Sequence, residues 1–124
     1  MLKHKVVPGL SMVCAVMLAS APSMSLAQNA PAPFAKCAAC HTVKAGARSG
    51  LGPNLSGVVG RKAGSVSDFK YSAVLKDKPF VWTPQQLDAF LTKPAATVPG
   101  TKMIFGGISD PRERKTIIDF LGRQ

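Results

Sequence analysis

Histidine and cysteine are scarce in this sequence, with two and three residues among 124. His4 and Cys14 lie in an amino-terminal segment that we expect to be removed, which leaves Cys37, Cys40 and His41. A structural zinc site normally takes four nitrogen or sulfur ligands, so three such residues argue against one. A thioredoxin-like redox pair would need alternating strands and helices, and the sequence has no such pattern.

Long hydrophobic runs are also lacking. Residues 10–21 are largely apolar, but this run is short for a helix that spans a bilayer. Basic residues precede it at positions 3 and 5, and small residues occupy positions 25 and 27. This arrangement predicts a cleaved secretory signal over residues 1–27, with an uncleaved membrane anchor as the alternative. The remaining chain would be a short Pro/Ala tail, 28–33, and one small domain, 34–124.

Acidic residues are few, at six against sixteen Lys and Arg, and the formal net charge is +10. Loss of Lys3 and Lys5 leaves fourteen basic side chains and a charge of +8. Such a surface favours acidic proteins, nucleic acid or anionic lipid. The basic residues are spread from Lys36 to Arg123 without a clustered basic helix or interleaved aromatics. We therefore predict no nucleic-acid binding, and no stable membrane insertion after cleavage.

The sequence predicts short helices that are separated by long loops. Pro33 can open a first helix that runs through His41, and the glycine-rich residues 42–70 predict loop. Ser72 can cap a brief turn over residues 73–76.

Two later helices have stronger signals. Thr83, Pro84 and Gln86 form a capping box, followed by an apolar face at Leu87, Phe90 and Leu91, and Pro94 ends this helix. The last helix repeats the pattern, with Asp110 as N-cap, Pro111 at the first position, Glu113 closing the box and Gly122 at the end. Its apolar face comprises Ile117, Ile118, Phe120 and Leu121. Because three or four such helices form a thin core, a buried haem would supply the missing apolar mass.

The segment Cys37-Ala38-Ala39-Cys40-His41 is a C-x-x-C-H motif, typical of c-type haem attachment. The two thiols lie on one face of a helical turn and would form thioether bonds to the haem vinyl groups. His41 would then be the proximal iron ligand. A disulfide between the cysteines remains the simpler alternative in an oxidising compartment.

The sixth iron position is expected to be filled by Met103, because cytochromes c use methionine there. Met103 is the only methionine after residue 27 and follows a Pro99-Gly100 turn. Taken alone, a methionine such as Met103 would more often be a core residue. His41 needs an acceptor for its other ring nitrogen, and the carbonyl of Pro53 is a candidate. Arg61, Tyr71 and Trp82 are possible donors to the haem propionates, and chemistry alone does not choose among them.

Three groups of motifs occur together in order. These are Cys37 to Val43, then Gly52-Pro53-Asn54-Leu55 with Gly60-Arg61-Lys62-Ala63-Gly64, and Pro99 to Phe105. Because these motifs occur together and in this order, residues 34–124 resemble class I cytochromes c of the bacterial and mitochondrial-like branch. The resemblance implies an all-α cytochrome c fold, with short helices and long loops wrapped around one haem c.

The resemblance also implies roles for single residues. Cys37 and Cys40 would hold the haem, and His41 and Met103 would be its axial ligands. The Pro53 carbonyl would accept the histidine N–H. The propionates would be contacted or shielded by Arg61, Tyr71 and Trp82. Phe105 would cover the exposed haem edge.

The sequence departs from the family pattern at three places. Ala30, Pro31 and Pro33 leave little room for helix before Phe34, so the first helix should be short and the fold less stable. Phe90 stands where a tyrosine often donates to the methionine sulfur. Ala95 and Ala96 replace common basic residues, which predicts weaker docking that still depends on salt.

The resemblance implies a monomeric, periplasmic one-electron carrier, not an enzyme. Its partners would be redox proteins with acidic docking faces, such as a cytochrome bc complex, an oxidase, a photosynthetic reaction centre or a dehydrogenase. Two alternatives remain. A weakly bound Met103 would allow a peroxidase-like haem enzyme or gas sensor, and absence of haem would leave a basic binding module.

Overall fold

The computed structural model describes Gly9 and residues 29–124. The predicted signal peptide, apart from Gly9, and residue 28 lie outside the described residues. The chain forms a 3-10 turn, Ala32–Phe34, and five α-helices: α1 (Ala35–Ala38), α2 (Ala73–Lys76), α3 (Pro84–Thr92), α4 (Pro94–Thr97) and α5 (Pro111–Leu121). Residues 29–124 contain no extended strand, only an isolated bridge between Lys62 and Val81. The expectation of an all-α fold with short helices is confirmed.

The two longest helices begin at the predicted caps. The Thr83 hydroxyl accepts the Gln86 backbone N–H at 3.1 Å, and Asp110 accepts the Arg112 N–H at 2.8 Å. The prediction that Glu113 closes a capping box is wrong, because its carboxylate pairs with Lys36 instead. Both caps satisfy backbone donors that a helix start leaves open.

Helices α3 and α5 pack against each other and form the centre of the core. Leu87, Phe90 and Leu91 are buried on α3, and α5 buries its predicted apolar face. Arg114 ties the two helices together, since its Nε donates to Asp88 at 2.7 Å. The α3–α5 pair therefore forms the platform on which the loops are arranged.

The first helical segment is short, as the prolines predict. Pro31 is extended, and helix begins only at Ala32. The α-helix ends at Ala38, three residues earlier than predicted, because a turn follows in which the Cys37 carbonyl accepts the N–H groups of both Cys40 and His41. Phe34 is buried against Phe120, with ring centroids 4.9 Å apart, so one aromatic side chain makes much of the contact with α5.

Helix α4 is absent from the sequence prediction. Pro94 ends α3 as expected, but it also occupies the first position of a further turn. Lys93 is extended, with φ −159°, and this residue lets the helix restart in a new direction. In the part of the chain that the structure describes, no helix has the length and apolar character to cross a membrane.

Candidate haem site

Cys37, Cys40 and His41 lie in one tight turn at the end of α1. The backbone N–H groups of Cys40 and His41 both donate to the Cys37 carbonyl, at 3.1 and 2.9 Å. Both cysteines are free thiols, Cys37 buried and Cys40 exposed. Burial raises the pKa of the Cys37 thiol, and neighbouring Lys36 opposes this only in part. The turn presents both sulfurs and the imidazole to the same cavity.

The imidazole of His41 is fixed by the loop that contains Gly52 and Pro53. Its Nδ1 lies 2.7 Å from the Pro53 carbonyl oxygen. Because a carbonyl can only accept, Nδ1 carries the proton and Nε2 keeps a lone pair. Burial lowers the pKa of His41, opposed by the hydrogen bond to Pro53, so the neutral, ligating form is favoured.

Gly52 makes this arrangement sterically possible. A Cβ atom at residue 52 would lie 2.6 Å from Nδ1 and 2.8 Å from Nε2 of His41. Such distances are far below van der Waals contact, so any side chain would displace the ring. Gly52 is therefore a positioning residue for the imidazole, a role that the sequence analysis did not include.

A cavity of about 540 Å³ opens beside His41, a size typical of sites for small ligands and cofactors. Met103, Ile104 and Phe105 also line it. A smaller cavity of about 70 Å³ adjoins it and is also lined by His41 and Met103. The histidine and the thioether therefore face shared space. The remaining apolar lining of the large cavity comes from Leu51, Phe69, Leu75, Trp82 and Phe90.

Three consecutive or nearby residues, Tyr71, Ser72 and Trp82, bring polar groups to the lining of the large cavity. The Ser72 hydroxyl is buried and has no hydrogen-bond partner, although buried polar groups normally have one. The Tyr71 oxygen accepts the Val66 N–H at 3.3 Å, so its own proton remains to be donated. Burial raises the Tyr71 pKa, which keeps the phenol protonated. These groups can donate to an acidic substituent of a ligand.

Arg61 is placed differently from Tyr71 and Trp82. Its two terminal nitrogens donate to the carbonyls of Ser56 and Asn54, at 2.9 and 3.0 Å. It lines the small cavity and is not among the described residues that line the large one. Burial lowers its pKa, opposed by Tyr71. Arg61 thus braces the loop, and its contact with a propionate stays a prediction.

The donor set fits a haem c. One largely apolar cavity is lined by the residues that carry two thiols, a neutral imidazole with a free Nε2 and a thioether. The buried Ser72 hydroxyl has no hydrogen-bond partner among the described residues and can donate to a propionate. Ser72 was predicted only as a helix cap, yet its side chain makes no capping bond. Its position directly after Tyr71 was the available signal for a role in the site.

Known proteins that are similar to this chain support a haem c site, although no family model matches the sequence. Cytochrome c2 iso-2 of Magnetospirillum molischianum is 43% identical over 93 residues, covering 75% of this chain and 95% of that protein. Cytochrome c of Ulva intestinalis is 45% identical over 103 residues, covering 83% and 93%. The solved structure of cytochrome cH from Methylobacterium extorquens is 42% identical with a TM-score of 0.69, covering 74% and 92%.

These relatives match over most of their own length. The resemblance to class I cytochromes c that the motifs indicated is confirmed. The chain belongs to the class I cytochromes c, the electron-carrying family whose haem c is attached at a C-x-x-C-H motif, present here as Cys37 to His41.

Proposed function

We propose that this protein is a periplasmic one-electron carrier with a single haem c attached through Cys37 and Cys40. His41 and Met103 are its axial ligands. The observation that carries the proposal is the shared cavity, into which both cysteines, the imidazole and the thioether face. When bound, the haem supplies an iron that cycles between Fe(II) and Fe(III).

The protein controls that iron through its ligands and their surroundings. Pro53 and Gly52 fix the His41 ring, so that Nδ1 is engaged with the Pro53 carbonyl and Nε2 is left with its lone pair for the iron. With His41 and Met103 both bound, no iron position is open to a substrate, which favours a carrier over an enzyme. Phe90 has no hydroxyl to donate to the Met103 sulfur. The buried rings of Trp82 and Phe90, with centroids 5.0 Å apart, make the lining of the cavity apolar. A dry pocket and a thioether ligand both act on the reduction potential.

The propionates would lie at the polar end of the cavity. Ser72 and Tyr71 have hydroxyl protons available for them, and Trp82 presents its indole from the same wall. Phe105, half-buried beside Met103, would cover the haem edge. Donors placed here would also fix the orientation of the haem within the cavity.

Docking would involve the basic residues around the cavity mouth. Lys36, Lys70 and Lys102 line it, and none of the described lining residues is acidic. Partners of opposite charge are favoured, including a cytochrome bc complex, an oxidase, a reaction centre or a dehydrogenase. Ala95 and Ala96 add no charge, so we expect weaker but salt-dependent association.

Intact mass measurement of the exported protein tests this proposal. Protein made with c-type maturation machinery should have the mass of residues 28–124 plus one haem after acid denaturation. The variant Cys37→Ser/Cys40→Ser should lose the haem under the same treatment. A wild-type mass equal to the bare polypeptide would contradict the proposal, and a mass that includes residues 1–27 would contradict signal cleavage.

A further inference from the structure

Arg114, in helix α5, is the only buried charged residue in the part of the chain that the structure describes, with 9% of its surface exposed. It lines neither of the two cavities described above. Burial of a charge costs free energy unless the group is paired and hydrogen-bonded, and an apolar side chain of similar size avoids that cost. The position of this guanidinium must therefore be understood from what it contacts.

The guanidinium of Arg114 serves two parts of the fold at once. Its Nε donates to the Asp88 carboxylate at 2.7 Å and so ties α5 to α3. Its Nη1 donates to the backbone carbonyls of Ile108 and Ser109, each at 2.9 Å. A planar fork with several N–H groups can make these contacts together, whereas the compact ammonium group of a lysine cannot. The Nη1 contacts hold the end of the segment that begins at Met103.

The Met103 segment is fixed at its two ends and free between them. Upstream, the Met103 N–H donates to the Thr101 hydroxyl at 3.3 Å. Residues 104–107 make no backbone hydrogen bond within the described part of the chain. Downstream, the first fixed point is Ile108, which is buried and whose N–H donates to the Leu91 carbonyl at 2.8 Å. The position of the thioether therefore depends on how firmly Ile108 is held.

The contact between this downstream end and α3 is tight. Gly107 has a φ of +102°, and a Cβ atom there would lie 2.1 Å from the Thr92 carbonyl oxygen. Only glycine allows this approach, since a side chain would both clash and strain the backbone. The end of the segment is thus placed against the last turn of α3, and Arg114 holds it there from α5.

We propose that Arg114 is a positioning residue that keeps the Met103 thioether on the haem iron, by fixing the Ile108 and Ser109 carbonyls. This inference rests on the proposed ligation by Met103. Arg114 would not contact the haem and acts only through the backbone. If the downstream end is released, the segment gains conformational freedom once the sulfur has left the iron, and this gain favours the open state.

Binding of imidazole to the ferric holoprotein tests the proposal, because imidazole reaches the iron only when the sulfur has left it. Absorption spectra give its apparent Kd, and urea unfolding of the same samples gives the global stability. The test variants are Arg114→Lys and Gly107→Ala, which disturb the same end of the segment by different means. Arg112→Lys is the matched control, since Arg112 lies in the same helix but pairs with Asp110 at the surface. Asp88→Asn weakens the tie between the helices and leaves the Nη1 contacts in place.

We expect Arg114→Lys and Gly107→Ala each to lower the apparent Kd for imidazole about tenfold. Asp88→Asn should lower the global stability without changing this Kd, and Arg112→Lys should match wild type in both measurements. The proposal is overturned if Arg114→Lys or Gly107→Ala binds imidazole with the wild-type Kd. It is also overturned if Asp88→Asn changes the Kd as much as Arg114→Lys does, because helix packing alone would then explain the effect.

Failure of the proposed ligation gives a different result. If Met103 were not an iron ligand, Met103→Ala would bind imidazole with the wild-type Kd. If only the role of Arg114 is wrong, Met103→Ala binds imidazole more tightly than wild type while Arg114→Lys does not.

Discussion

At the scale of single residues, the site depends on an imidazole whose orientation is set by two neighbouring loop residues. The Pro53 carbonyl selects the tautomer and Gly52 leaves space for the ring. Neither residue would contact the iron. Both act through His41, as groups behind a metal ligand commonly do.

Gly52→Ala should therefore damage the haem site with little direct effect on the core. The new Cβ would overlap the imidazole, so we expect loss of most low-spin haem in the purified protein. Gly106→Ala is the matched control, because nothing lies within 4 Å of a Cβ at residue 106. Equal haem content and identical spectra in the two variants would show that Gly52 does not position the ring.

Some residues of the site could be predicted from the sequence and others could not. Chemistry and spacing led to Cys37, Cys40, His41 and Met103, because each has a side chain typical of haem attachment or ligation. Gly52 and Ser72 were missed for a physical reason: their roles depend on what the fold places beside them. A serine hydroxyl and a glycine hydrogen carry no signature until the neighbouring ring or cavity is known.

At the scale of elements, the first helical segment is the weak part of the fold. It has only a 3-10 turn and one α-helical turn, whose contact with α5 depends on Phe34 and on the Lys36–Glu113 ion pair. The ion pair is partly exposed and contributes little. Most of the stabilisation at this contact must come from burial of one aromatic ring.

We expect a lower unfolding midpoint than in family members with a longer first helix, in melts run side by side. Phe34→Ala should cost about 3–5 kcal/mol of unfolding free energy. Phe80→Ala, which removes a half-buried ring that packs edge-on against Trp82, should cost less. Equal wild-type midpoints would contradict the prediction that the short first helix weakens the fold.

A second element-scale feature is the connection between two cavity loops. The Asp68 carboxylate accepts the backbone N–H of Ser49 at 2.9 Å and its hydroxyl at 2.7 Å. Ser49 in turn accepts the Asn54 N–H at 3.1 Å. One exposed carboxylate thereby joins the loop that holds Pro53 to the loop that leads to Tyr71.

These hydrogen bonds from Ser49 lower the pKa of Asp68 below its usual 3.8. A lowered pKa in the folded state means that the stabilisation is present at neutral pH and disappears as the pH falls through that lowered value. Asp68→Ala should therefore lower the melting temperature at pH 7, with the difference from wild type shrinking in acid. Asp77→Ala, another exposed carboxylate, is the control, and a difference that persisted at low pH would argue against the connection.

The helices themselves were largely predictable. Thr83, Asp110 and the prolines after them are local signals that act through a few neighbouring backbone groups, so α3 and α5 begin where the sequence indicates. The end of α1 and the existence of α4 were not predictable in this way. Both depend on how the chain changes direction around the cavity, which is a property of the whole fold.

At the scale of the whole molecule, α3 and α5 form the centre of the core, and the long loops contribute most of the residues that line the large cavity. His41 and Met103, which are far apart in sequence, line this same cavity. Short helices with long loops, as residues 29–124 form them, can in this way surround a large flat cofactor. The central claim is that His41 and Met103 both bind the iron and leave no position open.

Carbon monoxide binding to the ferrous mature protein tests that claim most directly. The account predicts a low-spin spectrum that carbon monoxide does not alter at neutral pH, and rapid carbon monoxide binding in Met103→Ala. Ready binding of carbon monoxide by the wild type would contradict it, because the sixth position would then be open and the protein would be better explained as a haem enzyme or gas sensor.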